Sequence, residues 1–472
     1  MKRSIMSQVK LFGSTRGGAR LAKNRGGRYT AGRGKQTPRK RRKNPLKALS
    51  IVLGLILMIE LCYFVCVYSQ NSFITKWRNI YIETAMDTLN HKWLATSIIP
   101  DDIIQEVMSK RAEALAQQAN LSSSWEKEEE KELVPEKKDP VEFEVDISVV
   151  DEEKEAQKAE LQSFYNLYYE LDKDSFEAYL RKHPDSLDNG WEQLYINEAG
   201  LDDDGTSIKT IYGEQVLAID VPNKILMVRV EGEGYIGVLA VGKDPSLLAV
   251  HPSSGLGSYG QTAGSIAKKN NGVLAMTGSG FIDPDGTGNG GLLAGYAMCD
   301  GVEYGDEHMG WGNKRLELHE NNLMYIKDVG APVGEDTTDA VEFQPALIID
   351  GEIVVNESHG WNGLHPRACI GQSDKYEILM LVIEGRMPTR SIGTHVMECA
   401  DILKQHGCMQ AMNLDGGTSA ILWYDGEYVT KCSNQALPEG RPLPTAFVYH
   451  HAEYHPVRTG SLYARFSEAR DS

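Results

Sequence analysis

Residues 48–68 read ALSIVLGLILMIELCYFVCVY, an apolar run in which Glu60 is the single charged side chain. About 20 such residues cross the hydrocarbon core of a bilayer as a helix. One acidic residue near its middle costs about 2.5–3.5 kcal/mol on insertion scales, which the surrounding Leu, Ile, Val and Phe offset. The run also divides the charge. Residues 1–47 hold sixteen Lys/Arg and no Asp or Glu, whereas the chain beyond residue 68 holds 33 basic against 65 acidic residues, so the net charge of −17 conceals a polycationic arm and an acidic body. The basic cluster Arg39 to Lys43 directly precedes the run, which by the positive-inside rule keeps the N-terminus in the cytoplasm. No small-residue cleavage motif follows. The expectation is an uncleaved signal-anchor in the cell membrane, single-pass, with the C-terminal part extracytoplasmic; a cleaved export signal and a buried core helix are the competing readings.

The arm's partner follows from its composition. Sixteen cations beside a membrane helix suit anionic lipid heads, and only Phe12 and Tyr29 offer stacking surface, so no nucleic acid is expected and the lipid bilayer is. Seven cysteines, two of them in the apolar run and none in a C-x-x-C pair, suggest neither a zinc ribbon nor a dense disulfide framework; a single Cys399–Cys408 bridge stays open.

Composition then divides the chain. Residues 1–47 are the basic cytoplasmic arm, 48–68 the transmembrane signal-anchor, and 69–121 a helical stalk rich in Ala, Glu, Gln and Leu, with a break at Pro100. Residues 122–190 are an acidic linker and short helices; 122–160 alone carries fifteen Asp/Glu against six Lys, too polar to order itself. Residues 191–458 are the folded body and 459–472 a tail. Within the body, short β-type runs alternate with Gly and Asn/Asp turns: 215–219, 225–230, 235–241, 346–349, 353–355, 377–383, 409–414, 420–424, 428–431 and 446–449. Asp350-Gly351 and Asp425-Gly426 read as hairpin turns. Val396, Cys399, Ala400 and Leu403 have helical spacing, closed by Gly407. The fold class is α+β: mixed sheets with flanking helices, preceded by one transmembrane helix and the stalk.

Three stretches carry candidate chemistry. Gly255, Gly257 and Gly260 match G-x-G-x-x-G, but the helix that follows is short and a dinucleotide is not expected; a glycine-rich loop is. The segment around Asp283 and Asp285 has the alternation of a calcium loop, yet Ala294 stands where a bidentate glutamate is required; no cofactor is expected, a structural calcium being open but unsupported. The informative stretch is 357–419. Glu384 and Asn413 with Asp415 each stand just past an apolar strand in a glycine-containing turn, a placement that projects polar groups from a rigid edge into a cleft. Arg367 and Arg386 are forks suited to phosphate or carboxylate, and the backbone N–H groups of Gly416 and Gly417 are placed to face an anion.

In order, H-P-R-A-C-I-G-Q (365–372), L-V-I-E-G-R (381–386), N-L-D-G-G-T-S-A (413–420) and R-P-L-P-T-A (441–446) resemble the phosphodiester glycosidase family, with similarity over roughly 240–450 that includes S-G-F-I-D-P-D-G-T-G-N-G-G (279–291). Glu384 stands where the family usually has Asp, and Thr418 where it tends to have a third Gly. The resemblance implies cleavage at the anomeric carbon of a sugar-1-phosphodiester, N-acetylglucosamine-like, in cell-surface glycopolymers. Arg367, Arg386 and Arg441 are then the cations for the departing phosphate. Asp415 and Glu384 are the carboxylates, one as nucleophile or base, and Asn413 binds a sugar hydroxyl or acetamido group. Gly416, Gly417, Thr418, Ser419 and Asp283 complete the substrate site, and His365 is either a proton shuttle or structural. A non-catalytic wall-polymer binder or exopolysaccharide assembly protein, and a sugar-phosphate transferase, are the other readings.

Overall fold

In a computed structural model the described residues are 45–88, 91–125, 152–200, 205–284, 288–305, 307–310 and 312–453. The basic arm to residue 44, most of the acidic linker and the tail from 454 lie outside them. Two compact units separate at residue 63, and everything below concerns the second, apart from the first part of the apolar helix. That helix, α1, is Pro45–Tyr68, and its Leu49–Tyr68 stretch is long and apolar enough to cross a membrane.

Four more helices precede the body's first strands within the expected stalk and linker, with a short turn of helix among them. α2 (Ser72–Met86) is opened by Asn71, whose side chain accepts from the N–H groups of Phe73 and Ile74, the usual N-cap arrangement. α3 is Trp93–Thr96. α4 (Asp101–Gln118) starts behind Pro100, with Asp101 and Asp102 in its first turn, where carboxylates meet the positive end of the helix dipole. α5 (Glu152–Leu167) and α6 (Lys173–Lys182) pack through Phe164 stacked on Phe176, with centroids 5.2 Å apart. Ile82, Ala85, Ala95, Ile99, Ile104 and Val107 bury one another together with Val67 at the end of α1.

The residues expected to form a stalk hold α2 to α4, and these helices lie against the body. The buried Glu83 carboxylate accepts from the N–H groups of Trp361 at 2.9 Å and Asn362 at 2.5 Å. Thr84 Oγ1 accepts from Leu364 N–H at 3.0 Å, and Gln118 Nε2 donates to the Val354 carbonyl at 2.9 Å.

A nine-stranded sheet runs Tyr195–Asn197, Gln215–Asp220, Ile225–Gly232, Tyr235–Gly242, Ile378–Ile383, Arg367–Ser373, Cys408–Asn413, Ala346–Ile349, Glu352–Ile353, each neighbour antiparallel. A five-stranded sheet orders Val302–Tyr304, Ala297–Cys299, Thr337–Phe343, Lys314–His319 and Met324–Asp328; a second orders Glu427–Tyr428, Trp423–Tyr424, Gly272–Thr277, Thr445–His450 and Leu248–Pro252. One apolar core joins residues of all three, among them Val238, Leu316, Ile370 and Phe447. α7 (Ala263–Lys269) covers the third sheet and α8 (Val396–Gln405) the first. His395 caps α8 by accepting from Glu398 N–H. Both Asp-Gly turns have left-handed φ at each residue, 48° and 81° at 350–351, 45° and 94° at 425–426, as tight hairpins of this type require. Cys399 and Cys408 are not bridged: both are buried thiols, and Cys408 Sγ donates to the Gln410 carbonyl instead.

Candidate active site

Register brings the key residues together. Arg367 opens its strand opposite Ile383, and Cys369 faces Asn413 across the other side. Two strand ends, at Ile383 and Asn413, therefore flank one strand start, at Arg367. Each continues into a turn at the same edge, and a cavity of about 810 Å³ opens there. Arg367, Arg386, Asn413, Asp415, Gly416, Gly417, Thr418, His365, Arg441 and Asp283 all line it.

Three of the cleft's cations, Arg367, Arg386 and Arg441, have no carboxylate within ion-pair distance among the described residues. Arg367 is buried and donates from Nε to the Thr394 carbonyl at 3.0 Å and from Nη2 to the Gly363 carbonyl at 2.8 Å. Arg386 sits in a left-handed conformation, φ 60°, which costs a non-glycine residue about 1–2 kcal/mol. It carries its guanidinium onto Gly417: a Cβ there would stand 3.0 Å from Nη1. Gly417 itself has φ +63°, so glycine is required twice over. The Arg441 guanidinium lies 4.4 Å from the Phe281 ring centroid, and its buried Nε has no hydrogen-bond partner among the described residues.

Asp415 faces these cations. Ser419 Oγ donates to its Oδ2 at 2.5 Å. Burial raises the Asp415 carboxyl above the ordinary carboxylate range, opposed by the Ser419 hydrogen bond and by the Arg441 and Arg386 charges. Asn413 is held by donation to the Gln344 carbonyl at 2.7 Å, and both oxygens of Asp283 accept from Gly288 N–H at 3.0 Å.

Three expectations change. Glu384 does not line the cavity. It is fully buried, ion-paired with Arg390 and accepting from Lys431 N–H at 2.7 Å, so its carboxylate is consumed in tying together the 384–391 turn and the 431 loop. Ser419 stands behind Asp415 and is not on the lining. The Gly417 N–H donates to the Pro366 carbonyl at 3.1 Å and is not available to an anion; Gly416 is small because a Cβ would come within 2.6 Å of that same carbonyl.

A second carboxylate comes from α2's end. Asp87 Oδ2 lies 3.2 Å from Nε2 of His365 and 2.8 Å from Nη2 of Arg111 on α4; all three residues line the cleft, as do Thr88 and His91. Burial alone would raise the Asp87 carboxyl, but His365 and Arg111 outweigh it and hold it well below the usual range. His365 Nδ1 is 3.5 Å from Arg386 Nη2. Arginine only donates, so Nδ1 accepts and the proton sits on Nε2, toward Asp87. Burial first, then the neighbouring arginines, pushes the imidazole down to about 4 against the pull of Asp87, leaving it neutral at neutral pH. The sequence did carry a hint of this. Glu83 and Asp87 are like charges four apart on one helix with no basic residue within a turn, a destabilising pair unless a cation arrives from elsewhere. Among the described residues no three His, Cys, Asp or Glu converge as a metal site.

Residues 270–450 match the sequence profile of the phosphodiester glycosidase family. The chain is 26% identical over 184 residues to an uncharacterized SPbeta prophage-derived protein, YomE, of Bacillus subtilis strain 168, covering 37% of this chain and 28% of that protein's length. Among solved structures it is similar to the catalytic domain of zebrafish N-acetylglucosamine-1-phosphodiester alpha-N-acetylglucosaminidase, described as auto-inhibited by its pro-peptide (19% identity, 48% of this chain, 82% of that one, TM-score 0.41). A protein of Burkholderia pseudomallei is similar at 16% identity over 46% of this chain and 74% of its own, TM-score 0.34. Residues 270–450 are thus a phosphodiester glycosidase domain, set here in a chain that adds helices before it.

Proposed function

We propose that the chain is a membrane-anchored, extracytoplasmic hydrolase that cleaves a sugar-1-phosphodiester, N-acetylglucosamine-like, between the anomeric carbon and its oxygen, acting on cell-surface glycopolymers. The observation that carries this reading is the convergence of Arg367, Arg386 and Arg441, none of them ion-paired among the described residues, on one cleft with Asp415. Fixed cations are what a departing phosphate needs, since they stabilise charge that grows as the C–O bond breaks. A phosphate is a weak base, so strong general-acid help is less necessary than for an alcohol. The anomeric carbon, gaining oxocarbenium character, is met by Asp415 as nucleophile or as base for water. Ser419 fixes the orientation of that carboxylate, and Asp87 fixes that of His365. α1 supplies the anchor, with the basic arm inside.

The test uses the full chain, because α2 and α4 contribute to the cleft wall. With an α-N-acetylglucosamine-1-phosphodiester as substrate, free sugar and sugar-1-phosphate are followed separately. Free sugar from the native chain, reduced by about 10³-fold or more in Asp415→Asn, is the expected result. Sugar-1-phosphate as the product would place the cleavage at phosphorus and overturn the assignment. Saturable binding without any product would favour a wall-polymer binder.

A further inference from the structure

We propose that the aromatic face of α2 and α3 is a membrane-interface surface that seats the rim of the cleft at the lipid headgroups, so that the sugar phosphodiester taken by the site is one carried in the bilayer. The inference rests on the anchor and the activity proposed above and adds to them where the substrate comes from.

Phe73, Trp77 and Tyr81 follow one another at intervals of four on α2, which puts them on one face, and they are 70%, 54% and 40% exposed. The first two rings lie 6.5 Å apart. Trp93 and Ile98, 60% and 49% exposed, extend the patch through α3, and Tyr81 Oη donates to the Leu94 carbonyl at 2.7 Å, joining the two helices. Among the described residues, Trp77 and Trp93 are the two exposed tryptophans. Exposed Trp and Tyr in water are costly, whereas at a membrane interface the ring is covered and its polar tip stays wet.

Charge agrees. The body is strongly acidic, but between Ser72 and Pro100 the only carboxylates are Glu83 and Asp87, both bonded into the body or the cleft. Lys92 stands exposed beside the aromatic residues, as suits anionic headgroups, and Lys76, exposed on α2, is ion-paired with Glu357 at 3.0 Å. Chain length agrees as well. α2 begins four residues after the apolar helix ends at Tyr68, a span of at most about 14 Å. Arg78 Nη1 also donates to the Val67 carbonyl at 2.6 Å, holding α2 to the end of that helix. The patch reaches the cleft directly: Thr88 and His91 line the cavity, and exposed Trp93 lies two residues further on.

The test reconstitutes the full chain in vesicles of phosphatidylcholine and phosphatidylglycerol. Flotation reads the anchor, and quenching of tryptophan fluorescence by lipids brominated near the headgroup reads the surface. The native chain should float and be quenched, and the Trp77→Phe/Trp93→Phe double variant should float with that quenching lost. A chain that floats with the same quenching in both forms, or with none, overturns the surface while leaving the anchor intact. Concentration-dependent self-association through these tryptophans without quenching also overturns it, making the face a contact between copies. A chain that does not float overturns both. The substrate half is read by comparing an N-acetylglucosamine phosphodiester on a dialkyl lipid with the same sugar phosphate on a small soluble alcohol. Trp77→Ser/Trp93→Ser should lower turnover of the lipid-borne substrate by about tenfold and leave the soluble one unchanged. Equal loss on both overturns delivery from the membrane. No turnover of either by the native chain overturns the activity and the substrate half together, and quenching still decides the surface.

Discussion

Arg315 and Arg367 are both buried in this molecule, in surroundings of opposite character. Arg315, in the strand Lys314–His319, is fully enclosed. Its Nε donates to Glu317 at 2.8 Å, and Nη1 and Nη2 donate to the Val329 and Ala331 carbonyls at 3.2 and 2.7 Å. Glu317 in turn accepts from Lys327, Thr337 and His319, and its carboxyl, which burial would raise, is held below the usual range by those partners. Every charge there is answered by another. Among the described residues the Arg367 side chain hydrogen-bonds only to backbone carbonyls, and that of Arg386 makes only a long contact to a neutral imidazole, with the Asp415 charge nearby but outside ion-pair distance. The first arrangement neutralises itself and holds a sheet together. The second leaves positive potential that an anion must complete, and burying unanswered charge costs stability, which a site retains only if a ligand uses it.

The contrast breaks most readily at its structural pole. Arg315→Met leaves Glu317 buried with fewer cations, and should cost about 3–5 kcal/mol in chemical denaturation. In the cleft the same change should act the other way round. Arg367→Met should lower sugar release by about 10²–10³-fold yet shift unfolding by no more than about 2 kcal/mol, since relief from an unpaired buried cation offsets two lost carbonyl contacts. Comparable destabilisation in the two variants would mean that the cleft arginine is structural too.

Protons sharpen the same comparison. His365 in the cleft and His251, buried against His450, are both pushed down to about 4, chiefly by burial. The unfolded chain takes up these protons near pH 6.5 and the folded chain only near pH 4. Stability should therefore be full above that window and fall as pH drops through it, by about 3 kcal/mol per histidine. Denaturation curves across this range, with His365→Asn expected to flatten the slope, check the assignment. The smallest effect is the long-range one. Because the body is acidic, added salt should raise turnover of an anionic substrate by about twofold from low to physiological ionic strength; a steady fall instead would mean that the local arginines dominate the approach.

How legible these regions are in the sequence differs for physical reasons. Asp415, Asn413 and Arg367 are readable because polar residues past apolar strand ends have one place to go. The Asp-Gly hairpins and α8 are readable from turn chemistry and helical spacing. Lys314–His319 is not: K-R-L-E-L-H alternates charge as a solvated strand would, and every one of its residues is buried. Only the cross-strand partners at 327, 337 and 342 explain that. Glu384 looks like a site carboxylate until Arg390 and Lys431 are seen holding it. Asp87 reaches His365 across 278 positions of chain, and no local pattern encodes such a meeting.

The nine-stranded sheet has a consequence for how the protein can be divided. Its strand Tyr235–Gly242 pairs along its length with Ile378–Ile383, from Gly242 against Ile378 to Gly237 against Ile383. The family profile begins at residue 270, so that boundary falls between two strands that share a ladder. A fragment cut there would carry Ile378–Ile383 as a raw apolar edge, every residue of which is buried in the intact chain. Such an edge recruits foreign strands. The border drawn by sequence similarity and the border drawn by hydrogen bonds are different lines in this chain.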